Sequence, residues 1–310
     1  MLAHVGSGVL VPLQLMPATV SGILYGLRVH ALRGTPRSVP GWRQGCFYAG
    51  LLVIVAALVS PLGHLADELF GAHMIEHLLI ADVGALLLVL GLTGPVLAPL
   101  LRVGLLGPLR VLSHPVVALG LWTLNLALWH VPALHEAAVR NEALHALQHA
   151  GFVAGGFGVW MALAGPLPTP AWFGNGARVV YVLVVRMVGA VLANVFVFGG
   201  TTFYDVYEPG EAFWGIAPAA DQVTAGSIMM VWESVLTLGL FCWLFLKTAR
   251  EGDERQELLD LARARGVPLT PERAARAVGA ARGDELRRRI ERDGSREPHG
   301  VRTGAERLRP

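Results

Sequence analysis

The segment Ala72-His73-Met74-Ile75-Glu76-His77-Leu78-Leu79 opens a long apolar run that continues to about Leu92. An α-helix has about 3.6 residues per turn, so His73 and His77 lie on one face of the helix about one turn apart. Two imidazoles at this spacing can reach a single ion, which makes the segment a candidate metal clamp at the end of a membrane helix. The same pair can instead cap the helix, form hydrogen bonds or face water.

The composition of the chain indicates an integral membrane protein. Of its 310 residues, 54% are hydrophobic and 15% are charged, and the mean hydropathy of +0.52 is too high for a water-soluble domain of this size. The two cysteines, Cys46 and Cys242, have no paired spacing, which argues against a disulfide framework or a thiolate metal site. We see no Walker loop, no dinucleotide fingerprint and no nucleophile with a base beside it, so we do not expect an enzyme.

Apolar runs predict an all-α polytopic membrane protein with seven transmembrane helices. Each run approaches the roughly 20 residues that a helix needs to cross a bilayer. The runs cover residues 9–27, 46–62, 72–92, 115–131, 144–163, 179–199 and 222–246.

The arginines of the connecting loops predict the orientation of these helices. They follow the first, third and fifth runs, whereas the loops on the opposite side carry only Arg140. Because basic loops stay in the cytoplasm, we expect the N-terminus outside the cell and the C-terminal tail inside. The loop arginines on the cytoplasmic side are Arg28, Arg33, Arg37, Arg43, Arg102, Arg110 and Arg178.

The chain therefore divides into a transmembrane domain, residues 1–246, and a cytoplasmic charged tail, residues 247–310. The tail holds 16 Lys and Arg against 12 acids, with too few apolar residues for a packed core. We expect short helices, one of them starting at Thr270-Pro271, and a disordered end. No aromatic platform accompanies the basic charge, so the tail does not indicate nucleic-acid binding.

Most of the histidines fall at the predicted extracytoplasmic ends of the helices. His145 and His149 repeat the i, i+4 spacing of the first pair at the start of the fifth run. Two helices that each bring a pair to one depth would form a four-imidazole site or two smaller sites. Further candidate ligands on this side are His130, His135, Met74 and Asp221.

Copper is the metal that these residue types favour on the outer side of a membrane. Neutral imidazole binds copper, zinc, iron and nickel, and a thioether favours Cu(I). His and Met ligands also survive in an oxidising compartment, where exposed thiols do not. The alternative without a metal is a hydrogen-bonded or pH-responsive histidine cluster.

Charged residues within the apolar runs call for partners. Asp82, Arg186 and Glu233 lie near the middle of the predicted membrane. A lone charge there is costly, so we expect Arg186 to pair with Asp82 or Glu233 and to join the third, sixth and seventh helices. The alternative is a polar path for an ion or a proton beneath the histidines.

The outer segment of residues 201–220 is rich in aromatic residues, which predicts an aromatic belt at the membrane surface. The alternative is a docking surface for a partner protein. The aromatic residues are Phe203, Tyr204, Tyr207, Phe213 and Trp214.

The opening segment, followed by Leu90-Gly91 and Pro95, resembles the signature of the CtaG family of bacterial cytochrome c oxidase assembly factors. The likeness covers about residues 9–246. The sequence departs from the family pattern at Glu76, at Asp82-Val83-Gly84 and at Ala225-Gly226, and none of these departures removes a histidine. Later landmarks that agree in order are His114-Pro115, Trp129-His130-Val131-Pro132, Leu144-His145-Ala146-Leu147-Gln148-His149 and Asp221-Gln222.

This resemblance implies a multi-pass protein of a bacterial plasma membrane that is needed to mature a haem-copper oxidase, helping copper to reach it. The implied partners are oxidase subunits, a copper donor protein and the lipid bilayer. A copper transporter or copper-resistance protein is the first alternative. A haem-binding electron carrier, with His73 and His149 as axial ligands, is the second. A retinal protein is excluded, because the only lysine, Lys247, lies at the cytoplasmic edge.

Overall fold

The computed structural model of the protein describes residues 7–102, 104, 106–280 and 282–294, and every regular element within them is a helix. Four of these helices are long and apolar enough to cross a membrane, and a pair bent by 76° would make a fifth. The chain forms two compact units, residues 1–238 and residues 239–310. The protein is thus an all-helical membrane protein, and the predicted count of seven spans goes beyond what these criteria establish.

The first two predicted runs form helices, and the second ends earlier than its apolar sequence predicts. Ser60 is extended and its hydroxyl accepts a hydrogen bond from the backbone N–H of Leu62, while Pro61 begins a new short helix. Proline is favoured in the first turn of a helix and cannot continue the preceding one, which explains the break. The helices are α1 (Ser7–Leu32), α2 (Gly41–Val59) and α3 (Pro61–Ala66).

The third run is a broken helix. Its middle is a π-helix, a rare form that is common at functional sites. The indole Nε1 of Trp160 donates to the carbonyl oxygen of Ala81 within it at 3.3 Å. Gly156 lies so close to this carbonyl that a Cβ there would overlap it, so only glycine allows this approach. The run consists of α4 (Phe70–Leu78), the π-helix (Leu79–Gly84) and α5 (Ala85–Gly91).

The middle of the chain contains the bent pair and the helix with the second histidine pair. The bend follows His130, where Pro132 starts a new helix instead of extending the old one. Asn141 then caps the next helix, with its side-chain oxygen accepting from the N–H groups of Ala143 and Leu144. These helices are α6 (Gly94–Arg102), α7 (Leu106–Leu112), α8 (Pro115–Trp129), α9 (Pro132–Arg140), α10 (Glu142–Ala164) and α11 (Asn175–Phe198).

Part of the aromatic segment of residues 201–220 is buried inside the protein. Tyr204 and Tyr207 are 6% and 1% exposed, so the predicted aromatic belt is wrong for these two residues. Both hydroxyl groups have hydrogen-bond partners inside the protein, which offsets the cost of burying them. Phe213, by contrast, is 78% exposed. The segment contains a 3₁₀ turn (Asp205–Tyr207) and α12 (Glu208–Trp214).

The last apolar run lies within one long helix, and the unit of residues 239–310 has its own small core. Leu258, Ala262, Val278 and Ile290 pack together there, although the composition predicts too few apolar residues for a core. Thr270 caps a helix as predicted, with its hydroxyl accepting from a backbone N–H. The predicted disordered end, from residue 295 on, lies outside the described residues. The helices are α13 (Pro218–Ala264), α14 (Pro271–Gly279) and α15 (Gly283–Gly294).

Candidate metal centre

The two histidine pairs meet as a compact quartet of imidazole rings, which we call the histidine quartet: His73 and His77 of α4 with His145 and His149 of α10. Within each pair the ring centroids are 4.2 Å apart. Across the helices, the centroids of His73 and His145 are 5.2 Å apart and those of His77 and His149 are 5.4 Å apart. The i, i+4 spacing therefore brings each pair to one face, and the packing of α10 along the π-helix and α5 brings the faces together.

Three rings of the quartet are buried and that of His145 is half-buried, yet many of their nitrogens make no hydrogen bond. His73 is fully buried, and His77 and His149 are 4% and 8% exposed. Among the described residues, no hydrogen-bond partner exists for Nε2 of His73 and His145 or for either ring nitrogen of His77 and His149. A buried polar group left without a partner costs about 1–3 kcal/mol. Such a concentration of lone pairs fits a bound cation, which would supply the missing partner.

The hydrogen bond of His73 to the backbone directs its other nitrogen toward the quartet. Its Nδ1 lies 3.2 Å from the carbonyl oxygen of Ala66. A carbonyl can only accept, so Nδ1 carries the proton, and Nε2 of the neutral ring keeps its lone pair. His130 has the same arrangement, with Nδ1 2.7 Å from the carbonyl oxygen of Leu126 and Nε2 without a partner in the described chain. Metal-binding histidines are commonly oriented in this way.

His135 supports the quartet and has no free nitrogen. Its Nδ1 donates to the carbonyl oxygen of Trp129 at 3.2 Å, and its Nε2 accepts from the Tyr207 hydroxyl at 2.8 Å. Burial raises the pKa of the Tyr207 phenol, so the hydroxyl stays protonated and donates. The ring of His135 lies 4.9 Å from that of His73 between centroids. In this geometry His135 and Tyr207 position His73 rather than offer a further ligand atom.

Asp221 and Met74 lie beside the quartet in other roles. The carboxylate of Asp221 accepts from the N–H groups of Phe70 and Gly71 at 2.6 and 3.0 Å, which caps the N-terminus of α4. Met74 is 2% exposed within an apolar cluster that includes Phe70. Neither residue belongs to the groups of ligand atoms that converge among the described residues. Asp221 therefore holds in place the helix that carries the first histidine pair.

Two converging groups of ligand atoms are present, and one contains a carboxylate. The atoms of His73, His77 and His145 lie within 4.8 Å of one another, as do those of Glu76, His145 and His149. Glu76 is 2% exposed, and its Oε2 lies 3.4 Å from Nε2 of His149. The sequence analysis treated Glu76 only as a departure from the family pattern and not as a ligand. The signal it passed over is the i, i+3 spacing from His73, which places both side chains on one helix face.

The model of the cytochrome c oxidase caa3 assembly factor family matches residues 23–251, which is more than half of the chain. The chain belongs to this family. No curated protein matches the chain. No solved structure matches it either. Membership confirms the resemblance seen in the sequence, and it implies association with cytochrome c oxidase as an assembly factor. All the predicted ligands lie within the matched residues.

The assembly factor has a second group of polar side chains, partly buried between helices, which we call the arginine network. Arg186 of α11 pairs with Glu233 of α13 and also donates to the hydroxyl of Ser234 at 3.1 Å. The indole Nε1 of Trp232 donates to Asp82 of the π-helix at 2.8 Å. The predicted pairing of Arg186 is thus confirmed for Glu233, whereas Asp82 is held by a tryptophan. Both acids have partners, and together the contacts join the π-helix, α11 and α13.

Proposed function

We propose that this protein helps to mature a haem-copper cytochrome c oxidase by holding copper, as cargo, in the histidine quartet. In this proposal the chain crosses a bacterial plasma membrane seven times, with its N-terminus outside and its tail in the cytoplasm. A copper donor protein supplies the ion on the outer side, and the oxidase receives it. The observation that carries the proposal is the convergence of four imidazoles, three buried and one half-buried, whose nitrogens make so few hydrogen bonds.

The donor set suits copper. Imidazole is a good ligand for copper, and the quartet offers several nitrogens within 4.8 Å of one another. The backbone carbonyl of Ala66 fixes the ring of His73, and the pair formed by His135 and Tyr207 packs against it. These contacts hold the nitrogen lone pairs in position before an ion binds. They therefore lower the entropic cost of ordering the ligands on binding.

The charge pattern of the sequence supports an outward-facing quartet. The arginine-rich loops follow alternate predicted spans, and both histidine pairs stand at the opposite ends of their helices. By the positive-inside rule those ends face the compartment outside the cytoplasm. Copper would then be held where an oxidase domain on the outer side of the membrane, or its donor, has access to it.

The arginine network favours assembly over transport. A transporter needs ligands that continue from the quartet toward the cytoplasm, and Asp82 and Glu233 are the acids in position to serve. Trp232 and Arg186 already bind these two carboxylates. A haem carrier is also disfavoured, because a porphyrin must fit between axial imidazoles from the two helices, whereas the facing rings of His73 and His145 are stacked with their centroids only 5.2 Å apart.

The test is the double variant His73→Ala with His77→Ala in cells that depend on this oxidase. We expect oxidase activity and oxidase copper to fall to the level of a strain without the protein, because the first converging group loses two of its three ligands. The abundance of the protein in the membrane should not change. The matched control is His64→Ala, which removes an exposed histidine from the same region of the chain.

Oxidase of normal activity and copper content in the double variant contradicts the proposal. Cytoplasmic copper distinguishes the transport alternative. An assembly factor leaves it unchanged in the double variant, and a transporter alters it.

A further inference from the structure

We infer that Glu76 is a metal ligand and that, with His145 and His149, it forms a second ion position that selects divalent copper. The first position consists of His73, His77 and His145 and takes monovalent copper. This inference rests on the proposed copper-holding function and adds to it a carboxylate ligand and a division between oxidation states.

The geometry of Glu76 and His149 fits two ligands of one ion. Metal–nitrogen and metal–oxygen bonds of about 2.0–2.1 Å in a tetrahedral site place neighbouring ligand atoms about 3.4 Å apart. The Oε2 of Glu76 and the Nε2 of His149 are 3.4 Å apart. The third ligand atom, from His145, lies within 4.8 Å of both, so a shift of at most about 1.4 Å completes the set.

A plain ion pair between Glu76 and His149 explains the contact less well. A buried charged pair normally forms a short, aligned hydrogen bond, which offsets the cost of removing both charges from water. Here neither Oε2 of Glu76 nor either ring nitrogen of His149 has a hydrogen-bond partner among the described residues. The two groups are therefore arranged as two ligands of a common ion, and not as the donor and acceptor of one hydrogen bond.

Charge separates the two positions chemically. The first position has three neutral imidazoles, so a divalent ion there leaves two positive charges in a buried site. The second position has one carboxylate, which cancels one of those charges. Because uncompensated charge is costly in a low-dielectric interior, the divalent ion should favour Glu76. Nitrogen and oxygen ligands also suit Cu(II), and a monovalent ion needs no carboxylate to reach the same net charge.

His145 belongs to both positions, which limits how many ions bind. An ion that takes His145 in one position deprives the other position of its third ligand. The two positions therefore compete, and we expect one copper ion per chain in either oxidation state.

The experiment uses the full chain purified in mild detergent and measures two copper affinities. Cu(I) binding is measured by competition with a chromophoric chelator, and Cu(II) binding by electron paramagnetic resonance. Glu76→Gln keeps the size of the side chain and removes its charge. It should weaken Cu(II) binding by at least the roughly 10-fold to 100-fold that the loss of an outer-shell partner costs, and leave Cu(I) binding unchanged.

Two further variants make the test independent of one substitution. His149→Ala should reproduce the selective loss of Cu(II) binding, and His77→Ala should weaken Cu(I) binding selectively. The control is Glu208→Gln, which removes an exposed carboxylate and should change neither affinity. Size-exclusion profiles and melting temperatures confirm that each variant is folded.

Each outcome decides the inference. Loss of Cu(II) binding in Glu76→Gln and His149→Ala, with Cu(I) binding retained, supports it. Unchanged Cu(II) binding in these variants, or equal loss of both oxidation states, overturns it but leaves the proposed function in place. A wild-type protein that binds neither form of copper overturns both.

Discussion

The histidine quartet and the arginine network are both groups of polar side chains between the helices of an apolar protein, and they differ in how many of their polar atoms have hydrogen-bond partners. In the arginine network each acid has a donor, and Arg186 reaches both Glu233 and Ser234. In the quartet most ring nitrogens have no partner among the described residues. Paired groups of the first kind hold membrane helices together, whereas the second kind is kept at a cost in stability and so indicates function.

This difference predicts that removing a side chain has different effects on stability in the two groups. Deleting one partner of a satisfied pair leaves the other buried without a partner and lowers stability. Deleting a histidine of the quartet removes a ring with at least one nitrogen that had no hydrogen-bond partner, so the fold should lose less stability than in the arginine network while copper binding is lost. The predictions below test this contrast.

The largest expected effect is the loss of copper delivery when the second histidine pair is removed. His145→Ala with His149→Ala should reduce oxidase copper as far as His73→Ala with His77→Ala does, because the ligands of both pairs converge in one place. Combining all four substitutions should add little, since members of one site are not additive. The measurement is the copper content of the purified oxidase.

Two results would break this prediction. A quadruple variant that loses clearly more copper than either pair would mean two independent sites. A large fall in the melting temperature of either double variant would mean that the quartet, like the arginine network, serves mainly to hold the helices together.

The second prediction concerns the stability of the arginine network. Arg186→Met leaves the partly buried carboxylate of Glu233 without its cation, and we expect a loss of about 1–3 kcal/mol in the free energy of unfolding. Arg186→Met combined with Glu233→Met removes both charges and should recover most of that loss. Chemical unfolding in detergent measures both, and copper binding by the folded double variant should be normal.

If the double variant is no more stable than Arg186→Met, the unpaired charge of Glu233 does not account for the loss of stability. If the double variant is folded but cannot bind copper, the arginine network belongs to the ion site. The proposed contrast between the two groups would then be lost.

The contrast was only partly visible in the sequence. Local spacing was enough to place His73 with His77 and His145 with His149, because four residues make about one helical turn. Membrane burial was enough to predict a partner for Arg186. The proline at residue 132 also marked the end of an apolar run near the observed end of α8.

Contacts between distant parts of the chain were not visible. Asp221 was predicted as a ligand, but its oxygens bind backbone N–H groups about 150 residues away, which no local pattern reveals. Tyr207 was assigned to an aromatic belt and instead donates to His135. The π-helix around Asp82 has no distinctive residue pattern, since it depends on how α10 and Trp160 pack against it. The i, i+3 spacing of Glu76 from His73 was visible in the sequence. The contact of Glu76 with His149, which suggests a ligand, depends on how α10 packs and was not visible.

The smallest expected effect tests an acidic pair outside the membrane helices, at the cap of α4. Glu211 of α12 is buried, and burial, with the charges of Asp221 and Glu208, raises the pKa of Glu211 to about 7. The folded protein thus holds a proton that the unfolded chain, whose carboxyl has its ordinary pKa near 4.5, has already released. The stabilisation from this proton is complete below about pH 4.5 and is lost as the pH rises toward 7.

Glu211→Gln should remove that loss, because the amide stays neutral. We expect the melting temperature of the wild-type protein to fall between pH 5 and pH 8 by more than that of the variant, by a small margin. Asp205→Asn, an exposed acid of the same outer segment, should behave as wild type. Equal falls in wild type and Glu211→Gln would mean that Glu211 does not carry the proton. A smaller fall in the variant would show that the proton on Glu211 stabilises the capped end of α4, the helix that carries His73 and His77.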